Sequence, residues 1–207
     1  MTRIDRVVTS GTFSLDGGTW DVDNNIWLIG DDTEVLIVDA AHDTEAILDG
    51  VGDRQVLGIL CTHAHNDHIT VAPQLARHFD APILLHPADD VLWRQTHPDV
   101  GYESLADKQR ITVAGVDIDI LHTPGHSPGS VSLHAPDLAA LFTGDTLFSG
   151  GPGATGRSYS DFGTIIDSIR DRLLTLPEET TVHTGHGDAT SIGAEKPSLS
   201  EWLARGH

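Results

Sequence analysis

Four side chains able to bind a metal crowd into the six residues His63-Ala64-His65-Asn66-Asp67-His68. They follow an apolar run, Val56-Leu57-Gly58-Ile59-Leu60-Cys61, that reads as a buried strand. A chain leaving a strand and turning at once splays His63, His65, Asp67 and His68 around one point. A helix is not expected to do this, because its same-face neighbours lie three or four residues apart. Imidazole nitrogens with a carboxylate suit Zn, Fe or Mn and not Ca or Mg. The bland alternative is a histidine-rich surface loop, but matching ligands recur downstream.

Three later segments share one grammar: an apolar run, a Thr, a Gly, then a candidate ligand. Ile118 to Leu121 leads through Thr123 and Gly125 to His126. Ala140 to Phe142 leads through Thr143 and Gly144 to Asp145, and Thr181-Val182-His183 leads through Thr184 and Gly185 to His186. A glycine just before each candidate lets the backbone bend sharply and approach a site closely. Strand ends converging on one rim are a common place for loops to present catalytic residues. With the first cluster this makes five histidines and two aspartates, a set large enough for two metals.

The order H-x-H-x-D-H, a lone His, G-D and G-H resembles the metallo-β-lactamase-fold hydrolases. The phrases TPGHSPGS and FTGDTLFSGG are similar to the glyoxalase II-like (hydroxyacylglutathione hydrolase-like) thioesterases. The resemblance runs from Trp20 to His186. It implies an α/β fold, an αββα four-layer sandwich of two mixed β-sheets flanked by helices. Carried over residue by residue, it implies that His63, His65 and His126 hold one metal and Asp67, His68 and His186 a second, with Asp145 bridging them. The implied cofactors are two divalent metal ions, Zn favoured, with Fe or Mn compatible.

Two metals about 3.5–4 Å apart can share a hydroxide, lower its pKa and polarise a carbonyl. The expected reaction is hydrolysis of an acyl thioester by that hydroxide, oriented by Asp67, with no Ser or Cys nucleophile. A departing thiolate needs little protonation, so the lack of an obvious general acid is no objection. One alternative is a persulfide dioxygenase, whose members share the motif but hold a single iron on the residues matching His63, His126 and Asp145. A lactonase has a similar ligand set. A non-catalytic metal-binding module is a reading of another class, and the completeness of the ligand set argues against it.

The expected partner is a small-molecule thioester. Glyoxalase II relatives grip glutathione with basic side chains of a helical region after the sandwich, for which the residues after His186 are too few. Weak use of glutathione and better use of another thiol is therefore expected. Those relatives also place a basic residue and an aromatic two apart shortly after the G-D motif. Arg157 and Tyr159 offer a similar substrate-binding pair, behind a longer loop from Gly150 to Thr155. The alternative for that pair is a structural loop in which Arg157 meets one of many surface acids.

The 207 residues, 39% of them apolar, fit one globular domain spanning residues 1–207. No stretch approaches the ~20 apolar residues of a bilayer span, and MTRIDRVVTSG lacks the apolar segment of a signal peptide. The lone cysteine, Cys61, cannot form an internal disulfide and fits a reducing compartment, so a cytoplasmic location is expected. Its place at a strand end marks it as a small buried hydrophobe. Twelve basic against 31 acidic side chains give a net charge of −19. Such a field disfavours nucleic acid and anionic membranes as partners and helps retain divalent cations. The acids are scattered, which solubility alone explains.

The elements that must position these residues alternate without a linker. Strands are expected from Val7 to Leu15 and Trp20 to Gly30, about an Asp16-Gly17-Gly18 turn, and from Glu34 to Asp39. A helix from about Asp43 to Val51 precedes the Val56 strand, and Ile69 to Phe79 fits a helix with Pro73 in its first turn. Ala81 to His86 reads as a strand, Pro87 to Gln95 as a helix, and Thr96 to Lys108 as irregular. Arg110 to Leu121 reads as a hairpin turning at Ala114-Gly115, and Ser130 to His134 pairs with Leu138 to Thr143. Phe162, Ile166, Ile169 and Leu173 recur at helical spacing, with Asp161 as N-cap and Pro177 beyond the last turn. Thr180 to Thr184 is the last strand and Ser198 to Arg205 a closing helix. His42, His78, His86, His97, His122, His134, His183 and His207 have no motif support and read as surface or hydrogen-bonded residues. Asp39 reads either as a plain turn or as a residue that orients a ligand imidazole.

Overall fold

Side chains alternate across a strand, and here both faces of the central strands are apolar. In the computed structural model, which describes residues 1–206, the first sheet holds β1 (Arg3–Leu15), β2 (Gly18–Gly30), β3 (Glu34–Val38), β4 (Gln55–Leu60), β5 (Ile83–Leu85) and β6 (Glu103–Ser104), in that order. The two junctions nearest β1 are antiparallel and the other three parallel. The second sheet is built from β7 (Arg110–Val113), β8 (Val116–His122), β9 (Val131–Ala135), β10 (Ala140–Gly144), β13 (Thr181–Thr184) and β14 (Thr190–Ser191). Its order is β14-β13-β10-β9-β8-β7, and β10 with β13 is its parallel pair. A small ribbon, β11 (Leu147–Phe148) with β12 (Gly151–Pro152), stands apart.

Trp27 and Ile29 of β2 face the second sheet, together with Leu36, Leu60, Ile118 and Phe142. Their neighbours Ile26 and Leu28 turn to the other side, where Ile37 and Ile59 join them. That outer face is covered by α1 (Thr44–Val51), α2 (Asn66–Ile69), α3 (Ala72–Phe79) and α4 (Asp90–Thr96), which contribute Ile47, Ile69, Leu75 and Trp93. The second sheet repeats the scheme: Phe142 points inward, whereas Leu141 and Val182 point outward to Ile165 of α5 (Phe162–Ser168). Ile192 of α6 (Ile192–Glu195) and Trp202 of α7 (Leu199–Arg205) complete that cover. The result is the expected αββα sandwich with two mixed sheets.

Several boundaries differ from the sequence expectation for identifiable reasons. β1 starts at Arg3 because it pairs with β2 along its whole length. The helix expected from Ile69 to Phe79 starts later, as α3 with Pro73 in its first turn, and a separate unexpected turn of helix, α2, ends at Ile69. The expected helix from Pro87 becomes a 3₁₀ turn, Pro87–Asp89, followed by α4. Inside the irregular stretch, β6 adds a parallel edge to β5. Asp43 and Asp161 both cap their helices, accepting from Ala46 N at 3.1 Å and Thr164 N at 2.7 Å. The helix after Asp161 continues as a π-helical turn, Ile169–Leu173, whose Ile169 and Leu173 stay buried. Among the described residues no helix is long and apolar enough to cross a membrane.

Candidate metal centre

The seven candidate ligands follow β4, β8, β10 and β13. His63 and His65 leave β4 on non-helical backbone, His65 being extended at φ −63° and ψ 144°, and α2 begins at the next residue. Asp67 and His68 therefore lie in a helical turn, which corrects the expectation of a turn without helix. Adjacent helical positions point about 100° apart, yet both side chains reach His186 Nε2, at 3.3 and 3.2 Å.

Two triads result. His65 Nδ1 lies 3.1 Å from His63 Nε2 and 3.0 Å from His126 Nε2. Asp67, His68 and His186 form the second group. Asp145 stands between them: its Oδ1 is 3.3 Å from His68 Nε2, and its Oδ2 is 3.5 Å from His126 Nε2 and 3.4 Å from His186 Nε2.

The outward ring nitrogens show where the protons sit. His126 Nδ1 donates to Ala154 O at 2.9 Å and His186 Nδ1 to Asp23 O at 2.7 Å. His68 Nδ1 donates to Asp39 Oδ2 at 2.8 Å. Thr62 Oγ1 donates to Asp39 Oδ2, so its oxygen accepts from His63 Nδ1 at 3.2 Å. A neutral imidazole has one N–H, so with Nδ1 donating outward the Nε2 atoms of His63 and His126 present lone pairs inward, and those of His68 and His186 do so once their rings give up the extra proton. Asp67 Oδ1 and Asp145 Oδ1 are buried and have no hydrogen-bond partner. Inward nitrogens and unpartnered carboxylate oxygens converging in a buried space fit divalent cations.

Electrostatics divides the two triads. Burial, then the neighbouring His68 and His65, pushes His63 well below its ordinary pKa, and burial with His126 takes His65 down to about 3. At His68 burial also opposes charge, but Asp145, Asp67 and Asp39 outweigh it and push the ring well above its usual value. At His186 burial is likewise overcome, by Asp145 and Asp67, and the pKa rises to about 10. Against its own burial, Asp145 is held well below the carboxylate range by His68 and His186. The second triad thus attracts positive charge, whether as protons or as a metal.

The glycines act in two ways. Gly125 and Gly144 adopt positive φ, 133° and 48°, as a sharp bend requires. Gly185 does not: its need is close approach, because a Cβ there would fall against Asp145 Oδ1 and His68 Cε1.

Beside the cluster lies a cavity of about 270 Å³, walled by Phe13, Trp20, Val22 and Phe148 and reached by His65, Asp67, Asp145 and Arg157. The Arg157 guanidinium lies over the Trp20 ring at 3.9 Å from its centroid and 5.0 Å from that of Phe13. Tyr159 is 46% exposed and does not line the cavity, although Ser158 and Ser160 on either side do.

The sequence pattern of the metallo-beta-lactamase superfamily matches residues 19–186. The chain belongs to this superfamily. Members of the metallo-beta-lactamase superfamily are mostly metal-dependent hydrolases. The chain is similar to the hydroxyacylglutathione hydrolase GloC of Haemophilus influenzae, at 32% identity over 191 residues covering 84% of this chain and 90% of that protein. It is similar to the solved structure of the BLEG-1 B3 metallo-beta-lactamase, with a TM-score of 0.76, 30% identity, and 91% and 97% of the two chains covered. It is also similar to TTHA1623 in a di-iron-bound form, with a TM-score of 0.77, 32% identity, and 84% and 93% covered.

In this metallo-beta-lactamase-superfamily chain, sequence reasoning missed Asn24. Fully buried, it donates from Nδ2 to Asp67 Oδ2 at 3.2 Å, while His42 Nε2 donates to its Oδ1 at 2.9 Å. Asp39 orients His68 and also accepts from Thr62 N at 2.7 Å, in a left-handed backbone at φ 64°. His97 and His122 bond backbone carbonyls, of Ile69 and Pro128. His183 lies between Trp27 and Phe142, and burial lowers its pKa to about 4. None of the histidines without motif support joins a metal-binding group among the described residues, and His207 lies outside those residues. Cys61 is buried in the core beside α-helical cover, and burial raises its thiol well above the ordinary value.

Proposed function

We propose that this chain is a binuclear, glyoxalase II-like metallohydrolase that cleaves a small acyl thioester. In this reading His63, His65 and His126 hold one metal, Asp67, His68 and His186 the other, and Asp145 both. The observation that carries it is the reach of Asp145, whose two oxygens lie within 3.5 Å of ring nitrogens from both triads. Likeness to a hydroxyacylglutathione hydrolase supports the reaction type. Zn is the favoured metal, and a di-iron neighbour makes Fe compatible. Divalent metals bound here would supply a water of lowered pKa and polarise the substrate carbonyl.

The chain's own residues do the placing. Asp39, Asp23 O and Ala154 O fix the rings of His68, His186 and His126. Asn24 holds Asp67 Oδ2, which leaves the unpartnered Oδ1 to orient the attacking hydroxide by hydrogen bonding. Phe13, Val22 and Phe148 give the acyl side an apolar wall, where charge interactions are stronger than in water. The thiolate departs with little need of a proton. Arg157, stacked on Trp20, receives an anionic group of the thiol carrier, and Tyr159 contacts the carrier from outside the cavity. A cytoplasmic setting belongs to this reading and rests on the lone buried Cys61.

The test compares metal-loaded protein on acyl thioesters of glutathione and other thiols, on a β-lactam, and on a persulfide with oxygen uptake followed. The expected outcome is the highest kcat/KM on a thioester, with glutathione a poor carrier. Arg157→Ala should lower kcat/KM for the preferred thioester by about 10-fold, chiefly through KM. Faster β-lactam hydrolysis, or oxygen uptake that tracks persulfide and needs iron, overturns the reaction. A preference for glutathione, or indifference to the substitution, overturns the carrier assignment alone.

A further inference from the structure

We propose that Asp89 is a positioning residue that clamps together the two loops carrying His63, His65 and His126; the proposal rests on the metal-binding reading of that triad. Asp89 ends the 3₁₀ turn Pro87–Asp89 and stands at the N-cap of α4. An aspartate at that position ordinarily caps its own helix, yet its side chain makes no capping bond.

The fully buried carboxylate turns to the ligand loops instead. Its Oδ2 accepts from Ala64 N and from Ser127 Oγ, at 2.8 Å each, and its Oδ1 accepts from Gly129 N. Ala64 lies between His63 and His65, and Ser127 and Gly129 follow His126 at once. One carboxylate, on a segment that carries no ligand, therefore joins both sources of the triad. Gly129 makes room for it, because a Cβ there would fall against Asp89 N, Cβ and Cγ. Ser127 Oγ also meets Ser130 Oγ at 2.8 Å, which stiffens the loop after His126. The clamp fixes the two loops whose His65 Nδ1 and His126 Nε2 stand 3.0 Å apart.

Asp89→Asn preserves volume but replaces one acceptor edge with N–H donors, so at least one of the three bonds is lost. Zn²⁺ affinity is measured by chelator competition in the full chain and in a His186→Ala background, where only the first triad is complete. Glu195→Gln is the comparison, since Glu195 is also buried and accepts from Gly150 N and Thr190 Oγ1, away from both ligand loops. Asp89→Asn should weaken the first site by about 10-fold or more. Ser127→Ala should weaken it less, and Glu195→Gln should leave it unchanged. Where Asp89→Asn does not fold, Ser127→Ala decides by the same measurement. Affinity equal to wild type in both variants overturns the clamp, as does an equal loss in Glu195→Gln. A wild type that takes up no Zn²⁺ overturns the metal reading beneath it.

Discussion

Asp145→Ala should lower kcat/KM by about 10³-fold or more, equivalent to ~4 kcal/mol of transition-state stabilisation, and reduce the metal content. Asp145 is the carboxylate that reaches nitrogens of both triads, His126 on one side and His68 and His186 on the other. Without it, a second cation beside the first would lose its shared anion and meet stronger like-charge repulsion. Asp145→Asn keeps the shape and loses the charge, so it should fall between wild type and alanine. Circular dichroism separates loss of fold from loss of the site. Full activity with undiminished metal content in a folded Asp145→Ala protein would show that the bridge does not exist.

Gly185→Ala is expected to cost about 100-fold in kcat/KM, although it adds one methyl group and the backbone φ there is not in the positive range. The added Cβ would lie against Asp145 Oδ1 and His68 Cε1. The backbone cannot move away freely: Gly185 N donates to Gly144 O and Asn25 N donates to Gly185 O, both at 2.8 Å. Asp145 or His68 must therefore shift, and a displacement of about 1 Å in a catalytic constellation commonly costs that much. Gly163→Ala in α5 is the control, since its Cβ would meet Asp161 Oδ1 at an ordinary 3.4 Å. Equal activity of the two variants would refute the role given to close approach.

What was legible in the sequence was local. The stretch from Trp20 to Gly30 was legible as a strand, and strand geometry then sends Ile26 and Leu28 to one core and Trp27 and Ile29 to the other. The ligand candidates were legible because each follows an apolar strand at short range, and Asp161 because a cap lies next to its helix. What escaped depends on distant partners. Asn24 acquires its place only when β2 is laid beside α2, and Asp23 and Ala154 act through carbonyls that carry no side-chain signature. Asp89 fell inside the helix expected from Pro87 to Gln95; it stands at the N-cap of α4, while its carboxylate serves two loops elsewhere in the chain. α2 was missed because a single turn of four residues offers no periodicity to read. β6 is a two-residue strand that exists only through its pairing with β5.

The most direct measurement is metal content per chain in fully loaded, active protein, by elemental analysis alongside protein quantification. The account predicts about two divalent metal ions per chain, as a pair sharing one carboxylate requires. One iron per chain, with no second metal and undiminished activity, would contradict it.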